Sequence, residues 1–386
     1  MPYWIEILSS GSSRIKEHAN RMKRKTSWVR PKTFQQINEA YMHHKTNNMA
    51  ERYRWMDRFR GSAILLVVYL HVAYSITSTY PDSWSLFDTI RETLSPFRMP
   101  VLMLLSGLLV ERSIKKGVWR YIKGKMHYIL YPYVVWTLIM FALYAVRETY
   151  LGIPGRRLVE GLWLHPIDHL WFLYNLLLYY LFALLTLKRW PVLGVLAALG
   201  LYALGYTGTR EIARLGYYLV FFMTGCWIGL HLTAFLRFMQ RIHWGLALVP
   251  MCLGVIFFWR HTSDFSTQKA YAPWFLLASL ATMPAFLKLC MWNGWDRCSR
   301  PVEWIGRHSL VIYLVHWPIT VFSPIFLVVI YHGNPNILLP FYLAVVLAIS
   351  CLFAFMERQS TLISLLFSPK GWSRILRFPQ LDYSFK

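Results

Sequence analysis

The chain has 386 residues, of which 56% are hydrophobic and only 15% are charged, and its mean hydropathy is +0.35. A soluble protein of this length would carry far more charge, so the composition excludes a soluble multidomain protein and indicates a polytopic helical membrane protein. The net charge of +23 does not indicate nucleic-acid binding, because the Lys and Arg residues cluster in short loops and tails between apolar spans.

The N-terminal segment, residues 1–54, is polar and basic, and no secretory signal peptide is predicted in it. It is predicted to be a cytoplasmic tail that is either disordered or lies on anionic lipid. An alternative is that translation starts at Met49, just before the first apolar span. The membrane domain is predicted over residues 55–358 and a cytoplasmic C-terminal tail over residues 359–386.

Ten apolar segments of about membrane-spanning length predict an all-α polytopic membrane protein. They run approximately over residues 61–78, 97–110, 128–146, 170–187, 191–206, 216–236, 243–259, 272–290, 309–330 and 337–356. Basic connections alternate with neutral or acidic ones, so the positive-inside rule places both termini in the cytoplasm. The five cysteines show no Cys-x-x-Cys spacing and are interpreted as small packing residues.

The first span carries Arg60 at its start and His71 eleven positions later. Eleven residues make about three helical turns, so both side chains point to one helix face, roughly 16 Å apart along the axis. In a spanning helix Arg60 lies at one surface and His71 near the middle, where an ionisable group is costly and indicates a functional site.

Two interpretations of this pair stay open. The functional one makes Arg60 an anchor for an anionic cofactor and His71 a general base in a channel. The structural one makes Arg60 a snorkelling interfacial residue and His71 a buried, hydrogen-bonded side chain. Asp57 either orients Arg60 or forms an ordinary i,i+3 surface pair with it.

Three further segments follow in later spans. They are Phe97-Arg98-Met99-Pro100 leading to Ser106-Gly107, then His169-Leu170-Trp171, and finally Gly306-Arg307-His308-Ser309 leading to Tyr313, His316 and Pro318. With Arg60 and His71, in this order across ten spans, they resemble the acyltransferase 3 family of integral membrane acyltransferases. The resemblance covers roughly residues 54–356, and the Phe-Arg-Met-Pro segment is similar to a bacterial inner-membrane branch with poorly defined substrates.

The resemblance implies a multi-pass enzyme of the bacterial inner membrane that moves an acetyl or similar short acyl group. The donor would be cytoplasmic acyl-CoA, with acetyl-CoA expected, and the acceptor a hydroxyl of a cell-envelope glycan or lipid-linked sugar. No permanently bound cofactor and no nucleic acid are expected, and membrane lipid is a further partner. His71 would act as a general base or would itself carry the acyl group, and Arg60 would meet the CoA phosphates.

The family often has an Arg-x-x-Arg pair ahead of a proline in the loop after the second span. This chain departs from that pattern, with Lys123-Gly124-Lys125 ahead of Pro132. Lys123 and Lys125 keep part of the charge and are candidate CoA-binding residues, because lysine binds phosphate as a point charge. The paired guanidinium groups are absent.

The acceptor side is predicted to involve His316, His169, Trp171 and Ser106. His316 either lines the acceptor site or is buried against a neighbour, with Tyr313 on the same face as a possible partner. Ser106-Gly107 allows close approach, either of a ligand or of a packed helix.

The stretch His165-Pro166-Ile167-Asp168-His169 contains metal-ligand residue types, but no metal site is predicted. Pro166 argues against a regular helix there, and no His-Glu-x-x-His pattern occurs in the chain.

A transporter or flippase for a glycan or lipid is the competing function. Ten spans and intramembrane ionisable residues suit it, but the two halves of the chain show no similarity, which many transporters do show. A purely structural scaffold would not explain an Arg and a His on one helix face at this spacing.

Overall fold

The computed structural model describes residues 34–80, 85–152, 166–187, 190–260, 271–292, 294, 298–323, 327 and 331–369. Side chains are described from Arg54 onward, apart from several positions before Arg98. The chain divides into two compact units, Met1–Tyr53 and Arg54–Lys386, and the second holds all residues of the candidate site.

The described regular structure is helical. The α-helices are α1 (Phe34–Thr79), α2 (Ser85–Leu108), α3 (Val110–Ile114), α4 (Val118–Lys125), α5 (Tyr131–Leu151), α6 (Trp171–Thr186), α7 (Pro191–Tyr206), α8 (Arg210–Leu230), α9 (Leu232–Arg241), α10 (Trp244–Arg260), α11 (Pro273–Met291), α12 (Arg300–Arg307), α13 (Ser309–Phe322), α14 (Pro335–Gln359) and α15 (Thr361–Leu365). A π-helical turn, Met126–Leu130, joins α4 to α5, and a 3₁₀ turn, Asp168–Leu170, precedes α6.

The first helix begins at Phe34, inside the segment that was expected to be a tail. Helix α1 therefore starts well before the first apolar span at residue 61. That residues 1–54 form a cytoplasmic tail, and that translation starts at Met49, stay predictions.

Six helical stretches of the described chain are long and apolar enough to cross a membrane. They are Arg54–Thr79, Val118–Tyr150, Asp168–Thr186, Arg210–Leu230, Pro273–Met291 and Pro335–Gln359. Helices α9 and α10 would make a seventh span if they are one crossing, although they meet at a bend of 94°. Helices α7 and α13 are apolar but shorter. The chain is thus a multi-pass helical membrane protein, while the count of ten spans and the cytoplasmic termini stay predictions.

Helix α2 is not among these stretches, because any 18 consecutive residues of it include at least three charged ones. Its second half is buried within the protein, with Val101 and Met103 fully covered. Gly107 and Gly225 make the close contact with α8 possible, since a Cβ at either would lie within 2.0 Å of a carbonyl oxygen of the other helix. The carbonyl of Leu104 meets Gly225 and that of Leu108 meets Gly229, so α2 and α8 run in the same direction.

Helix α1 and the α12–α13 segment also run in the same direction. Three contacts join residues that are 245 positions apart: Arg58 with Glu303, His71 with His316, and Ser75 with Thr320. A constant offset over these contacts means that the two segments are parallel and in register. Their predicted numbering, as the first and ninth spans, requires the same direction.

Candidate active site

The two histidines of the parallel α1–α13 pair are bonded to each other. His71 Nδ1 lies 2.9 Å from His316 Nε2, and the rings stack with centroids 5.1 Å apart. His316 is fully buried, while His71 is half-buried. One turn further, Ser75 Oγ donates to the backbone oxygen of Thr320 at 3.0 Å. The second bond holds the two helices in the register that brings the imidazoles together.

A single backbone carbonyl determines the proton positions in this pair. His316 Nδ1 lies 3.0 Å from the carbonyl oxygen of Ile312, which can only accept a hydrogen bond. His316 Nδ1 must therefore carry a proton, and in the neutral ring Nε2 is then an acceptor. His71 Nδ1 consequently donates to it, which leaves His71 Nε2 with its lone pair. This unprotonated nitrogen is the form that a general base or a nucleophile requires.

Trp317 and Asp168 lie beside the pair. The Trp317 ring meets His71 edge-on at 4.6 Å, and its Nε1 donates to Asp168 Oδ2 at 3.3 Å. Tyr144 donates a second hydrogen bond to the same carboxylate oxygen. Asp168 also has the positive φ of 44°, rare for a residue other than glycine and common at functional sites.

His169 belongs to this group but has no hydrogen-bond partner for its ring. The side chain is 3% exposed, and neither ring nitrogen has a partner among the described residues. It stacks on Trp317 at 5.3 Å and lies 6.1 Å from the His316 ring. The Tyr313 hydroxyl donates to the His169 backbone oxygen. Tyr313, the possible partner of His316, thus gives its hydroxyl to His169 and meets His316 through its ring at 5.8 Å, while His71 takes the His316 Nε2 hydrogen bond.

Arg60 lies on the same helix, about 16 Å from His71 along the axis. Its Nη1 is 4.0 Å from Asp57 Oδ1, and the Arg307 guanidinium approaches the other carboxylate oxygen at 3.7 Å. Arg60 is 29% exposed, so its charge is available to a ligand near the start of the first membrane span. The predicted contact with Asp57 is present, but Asp57 is shared with a second arginine.

Lys125 approaches the same end from α4. Its Nζ lies 3.4 Å from the centroid of the Tyr180 ring and 5.2 Å from that of Tyr121. The Arg60 charge also acts on the Tyr180 hydroxyl, so both cations act on this tyrosine. The π-helical turn that follows Lys125 is a feature enriched near functional sites. Lys123, two residues earlier, is exposed.

Ser106 lies near Tyr180, away from the histidines. Its hydroxyl donates to the Leu102 carbonyl of its own helix at 2.7 Å, and its backbone oxygen accepts from Tyr180 at 3.3 Å. Gly107 packs directly on the Phe222 carbonyl of α8. These contacts favour helix packing over substrate binding for the Ser106-Gly107 pair.

Trp171 stacks on Tyr218 at 5.2 Å, and the Arg214 guanidinium lies 4.9 Å above its ring. Arg98 acts electrostatically on His71, His316, Tyr218 and Tyr313. Neither arginine was among the predicted site residues, although Arg98 stands within the Phe-Arg-Met-Pro segment. The sequence signal for Arg98 is its charge within an apolar segment, at membrane depth.

Glu303 and Arg58 form a buried ion pair that the sequence analysis did not predict. Arg58 Nε donates to Glu303 Oε1 at 2.9 Å, and Arg54 and Ser299 bind the same carboxylate. Burial raises the pKa of Glu303, but the hydrogen bonds from Arg54, Ser299 and Arg58 outweigh it and lower the pKa below its ordinary value. The pair fastens α12 to the first turns of the membrane-spanning part of α1, Arg54–Thr79, two residues before Arg60.

Among the described residues, no group of three His, Cys, Asp or Glu side chains is arranged to hold a metal ion. His165, part of the stretch with metal-ligand residue types, lies outside the described residues.

The family model of the acyltransferase domain, acyltransferase 3, matches residues 53–355, about four fifths of the chain. The chain belongs to the acyltransferase 3 family. It is also similar to the inner membrane protein YcfT of Escherichia coli (strain K12), with 23% identity over 307 residues that cover 69% of this chain and 80% of that protein. No solved structure matches the chain. Its membership makes this protein a membrane acyltransferase, and the residues bonded in the α1–α13 pair fall within the matched region.

Proposed function

We propose that this acyltransferase is an acyl-CoA-dependent O-acyltransferase. It moves an acetyl or similar short acyl group from cytoplasmic acyl-CoA to a hydroxyl of a cell-envelope glycan or lipid-linked sugar. The observation that carries the proposal is the unprotonated His71 Nε2, oriented by His316 in the interior of a spanning helix. The inner-membrane relative supports a place in the bacterial inner membrane.

The donor is proposed to bind where Arg60 and Lys125 flank Tyr180. Two cations at the predicted cytoplasmic end of the first membrane span suit the phosphates of CoA, and Arg60 can offer two parallel hydrogen bonds. Lys125 substitutes for the arginine pair that other family members have at this place. Lys123, two residues before Lys125 and exposed, adds a positive charge nearby.

The proposed reaction needs one base and one leaving group. The acceptor oxygen attacks the thioester carbonyl carbon while its proton moves to His71 Nε2, so that a carbon–oxygen bond forms. The carbon–sulfur bond then breaks, and the CoA thiolate takes the proton back from His71. The products are the ester and free CoA, and the imidazole returns to its starting state. The His316 Nε2 lone pair keeps a hydrogen bond to His71 throughout the cycle.

The His71 Nε2 lone pair would also serve as the nucleophile if His71 carried the acyl group covalently. The two routes differ in one observable. An acyl carrier would retain radioactive acyl groups after incubation with labelled acyl-CoA and acid quenching without acceptor, while a general base would retain none.

The test is thiol release by the purified protein in lipid, with acetyl-CoA or succinyl-CoA and envelope glycan extracts. His71→Ala is expected to reduce acceptor-dependent release by about 10²–10⁴-fold, the usual contribution of a positioned base. His332→Ala, at an exposed histidine, is the matched control and should keep full activity. Full activity of His71→Ala would contradict the proposal. Absence of both release and CoA binding with every donor would favour the transporter instead.

A further inference from the structure

Beyond the histidine pair, two arginines reach into the protein with no counter-charge. Arg98 Nε and Nη1 are buried without hydrogen-bond partners, and Arg214 Nε is in the same state. Neither arginine forms an ion pair within the part of the chain that the structure describes. Since a buried guanidinium nitrogen without a hydrogen-bond partner is unfavourable, these groups point to a missing anion.

The two arginines lie on the same side of the α2–α8 glycine contact. Helices α2 and α8 are parallel, and Arg98 and Arg214 both come before the contact of Leu104 with Gly225. Ser106, near Tyr180 and Arg60, comes eight residues after Arg98, about 12 Å along the axis of α2. The arginines are thus displaced from the donor end toward the opposite side of the membrane.

Both arginines adjoin the histidine group. Each acts electrostatically on Tyr218 and Tyr313. The Tyr313 ring lies 5.8 Å from His316 and 5.3 Å from His169. His169 adds a buried ring with two unpartnered nitrogens. We call this cluster of Arg98, Arg214, Tyr218, Tyr313 and His169 the chamber.

Asp168, beside the histidine group, is not an ion-pair partner of either arginine within the described residues. Asp168 Oδ2 accepts hydrogen bonds from Tyr144 and Trp317. Arg147, also at this end, has a buried unpartnered Nε and stacks on the Tyr144 ring at 4.7 Å. A third cation without an ion pair strengthens the positive potential of the chamber.

We propose that Arg98 and Arg214 bind a negatively charged group of the acceptor, a phosphate or a carboxylate, beside the hydroxyl that is acylated. The inference rests on the proposed function and specifies its acceptor as an anionic envelope molecule. Its anionic group lies between the two guanidinium groups, where charge-assisted hydrogen bonds are strongest. The stacked pair of Tyr218 and Trp171 lies beside Arg214 and gives the site an aromatic wall.

The test titrates small anions into the full-length protein in phosphatidylcholine nanodiscs. Saturating desulfo-CoA, which cannot react, blocks the donor site, so that only the acceptor side is measured. Glucuronate and glycerol 3-phosphate are the probes, and glucose and glycerol are their neutral counterparts. We expect the anions to bind and the neutral molecules not to bind. Arg98→Gln and Arg214→Gln should each weaken anion binding roughly tenfold or more, since each removes charge-assisted hydrogen bonds.

Arg237→Gln removes one charge at an exposed position and is expected to leave anion binding unchanged. Retained desulfo-CoA binding shows that the two test variants are folded, and Arg98→Lys should recover part of the affinity. Equal binding of anionic and neutral probes, or unchanged anion affinity in both Gln variants, would overturn the proposal. Competition by phosphatidylglycerol added to the nanodiscs would assign the anion to a lipid-linked acceptor, and lack of competition to a soluble one.

The two proposals can fail separately. Specific anion binding without thiol release from any donor would leave the anion site and remove the transferase function. Release that depends on His71 but only with the neutral fraction of envelope glycans would retain the transferase and remove the anionic acceptor.

Discussion

His316 acts on His71 through one hydrogen bond whose direction depends on the Ile312 carbonyl. A second histidine is a neutral partner, so it orients the imidazole without placing a negative charge beside it. In this arrangement His316 is a positioning residue, because it reaches the reacting atoms only through His71. The bond links one helix to another, and its loss would free His71 to change its tautomer.

Replacing His316 by phenylalanine keeps a ring in the site but removes the acceptor. His316→Phe is expected to lower kcat by about 10–100-fold, the usual cost of losing such a supporting contact, with KM for acyl-CoA unchanged. His316→Gln, whose amide oxygen can accept the same hydrogen bond, should recover part of kcat. Steady-state thiol release over a range of pH checks this. An unchanged pH profile with equal losses in both variants would indicate a merely structural role.

Lys125 provides the second prediction at the residue scale. Lys125→Met retains the length of the side chain but removes the charge above Tyr180. We expect KM for acyl-CoA to rise about tenfold while kcat changes little, because the proposed site places the residue against the donor and away from the reacting atoms. Lys115→Met is the control, since Lys115 is 73% exposed and pairs only with Glu111 in the described structure. Equal KM values for the two variants would remove Lys125 from the donor site.

At the scale of elements, glycines allow helices to approach until backbones touch. The contacts of Gly107 with Phe222 and of Gly225 with Leu104 hold α2 against α8, and Arg98 and Arg214 on these helices act on the same two tyrosines, Tyr218 and Tyr313. Small residues serve this purpose in membrane proteins because lipid provides no hydrophobic drive for helices to associate. On the opposite side of the site, Gly306 lies against the Asp57 carbonyl and brings α12 equally close to α1.

The α2–α8 contact predicts a clear difference between two glycines. A Cβ at Gly107 would lie 1.9 Å from the Phe222 oxygen, whereas one at Gly200 would meet nothing within 4 Å. Gly107→Ala should destabilise the protein by about 1–3 kcal/mol through overpacking. Gly200→Ala should be neutral or stabilising by roughly 0.5–1 kcal/mol. Thermal unfolding in detergent, followed by circular dichroism, measures both, and equal midpoints would show that the close contact does not form.

At the scale of the whole molecule, three helices meet at the Arg58–Glu303 pair. Arg58, besides its ion pair, donates to the backbone oxygens of Cys290 and Trp292 at the end of α11. The carboxylate therefore joins α1, α11 and α12 through one buried arginine. Removing one partner of a buried pair leaves the other charge unsatisfied, which is the costly case.

This junction makes stability depend on pH. The Glu303 pKa is below its ordinary value of 4.5 in the folded protein, so its stabilising effect is present above pH 4.5 and is lost as pH falls through the folded pKa. Glu303→Gln should lower stability by about 1–3 kcal/mol at neutral pH. The difference from wild type should shrink below pH 4.5 in thermal unfolding curves. Glu111→Gln, which breaks an i,i+4 pair, should have little effect, and a pH-independent difference for Glu303→Gln would contradict this account.

Local periodicity and composition by themselves determined that this is a helical multi-pass membrane protein and that Arg60 and His71 share one helix. Both follow from short-range physics: apolar length sets a span, and 3.6 residues per turn sets a face. The order of the motifs likewise identified the acyltransferase 3 family, which the family model confirms. None of this required knowledge of which helices touch.

Only the tertiary structure decided the partners. His316 bonds to His71, and Glu303 to Arg58, because α1 and α13 run parallel in one register, and a register between distant segments leaves no periodic signal in the sequence. The same holds for Arg98 and Arg214, which come together only because α2 and α8 meet at their glycines. Whether a buried charge has a partner depends on packing between helices, so the chamber could not be read from any single span.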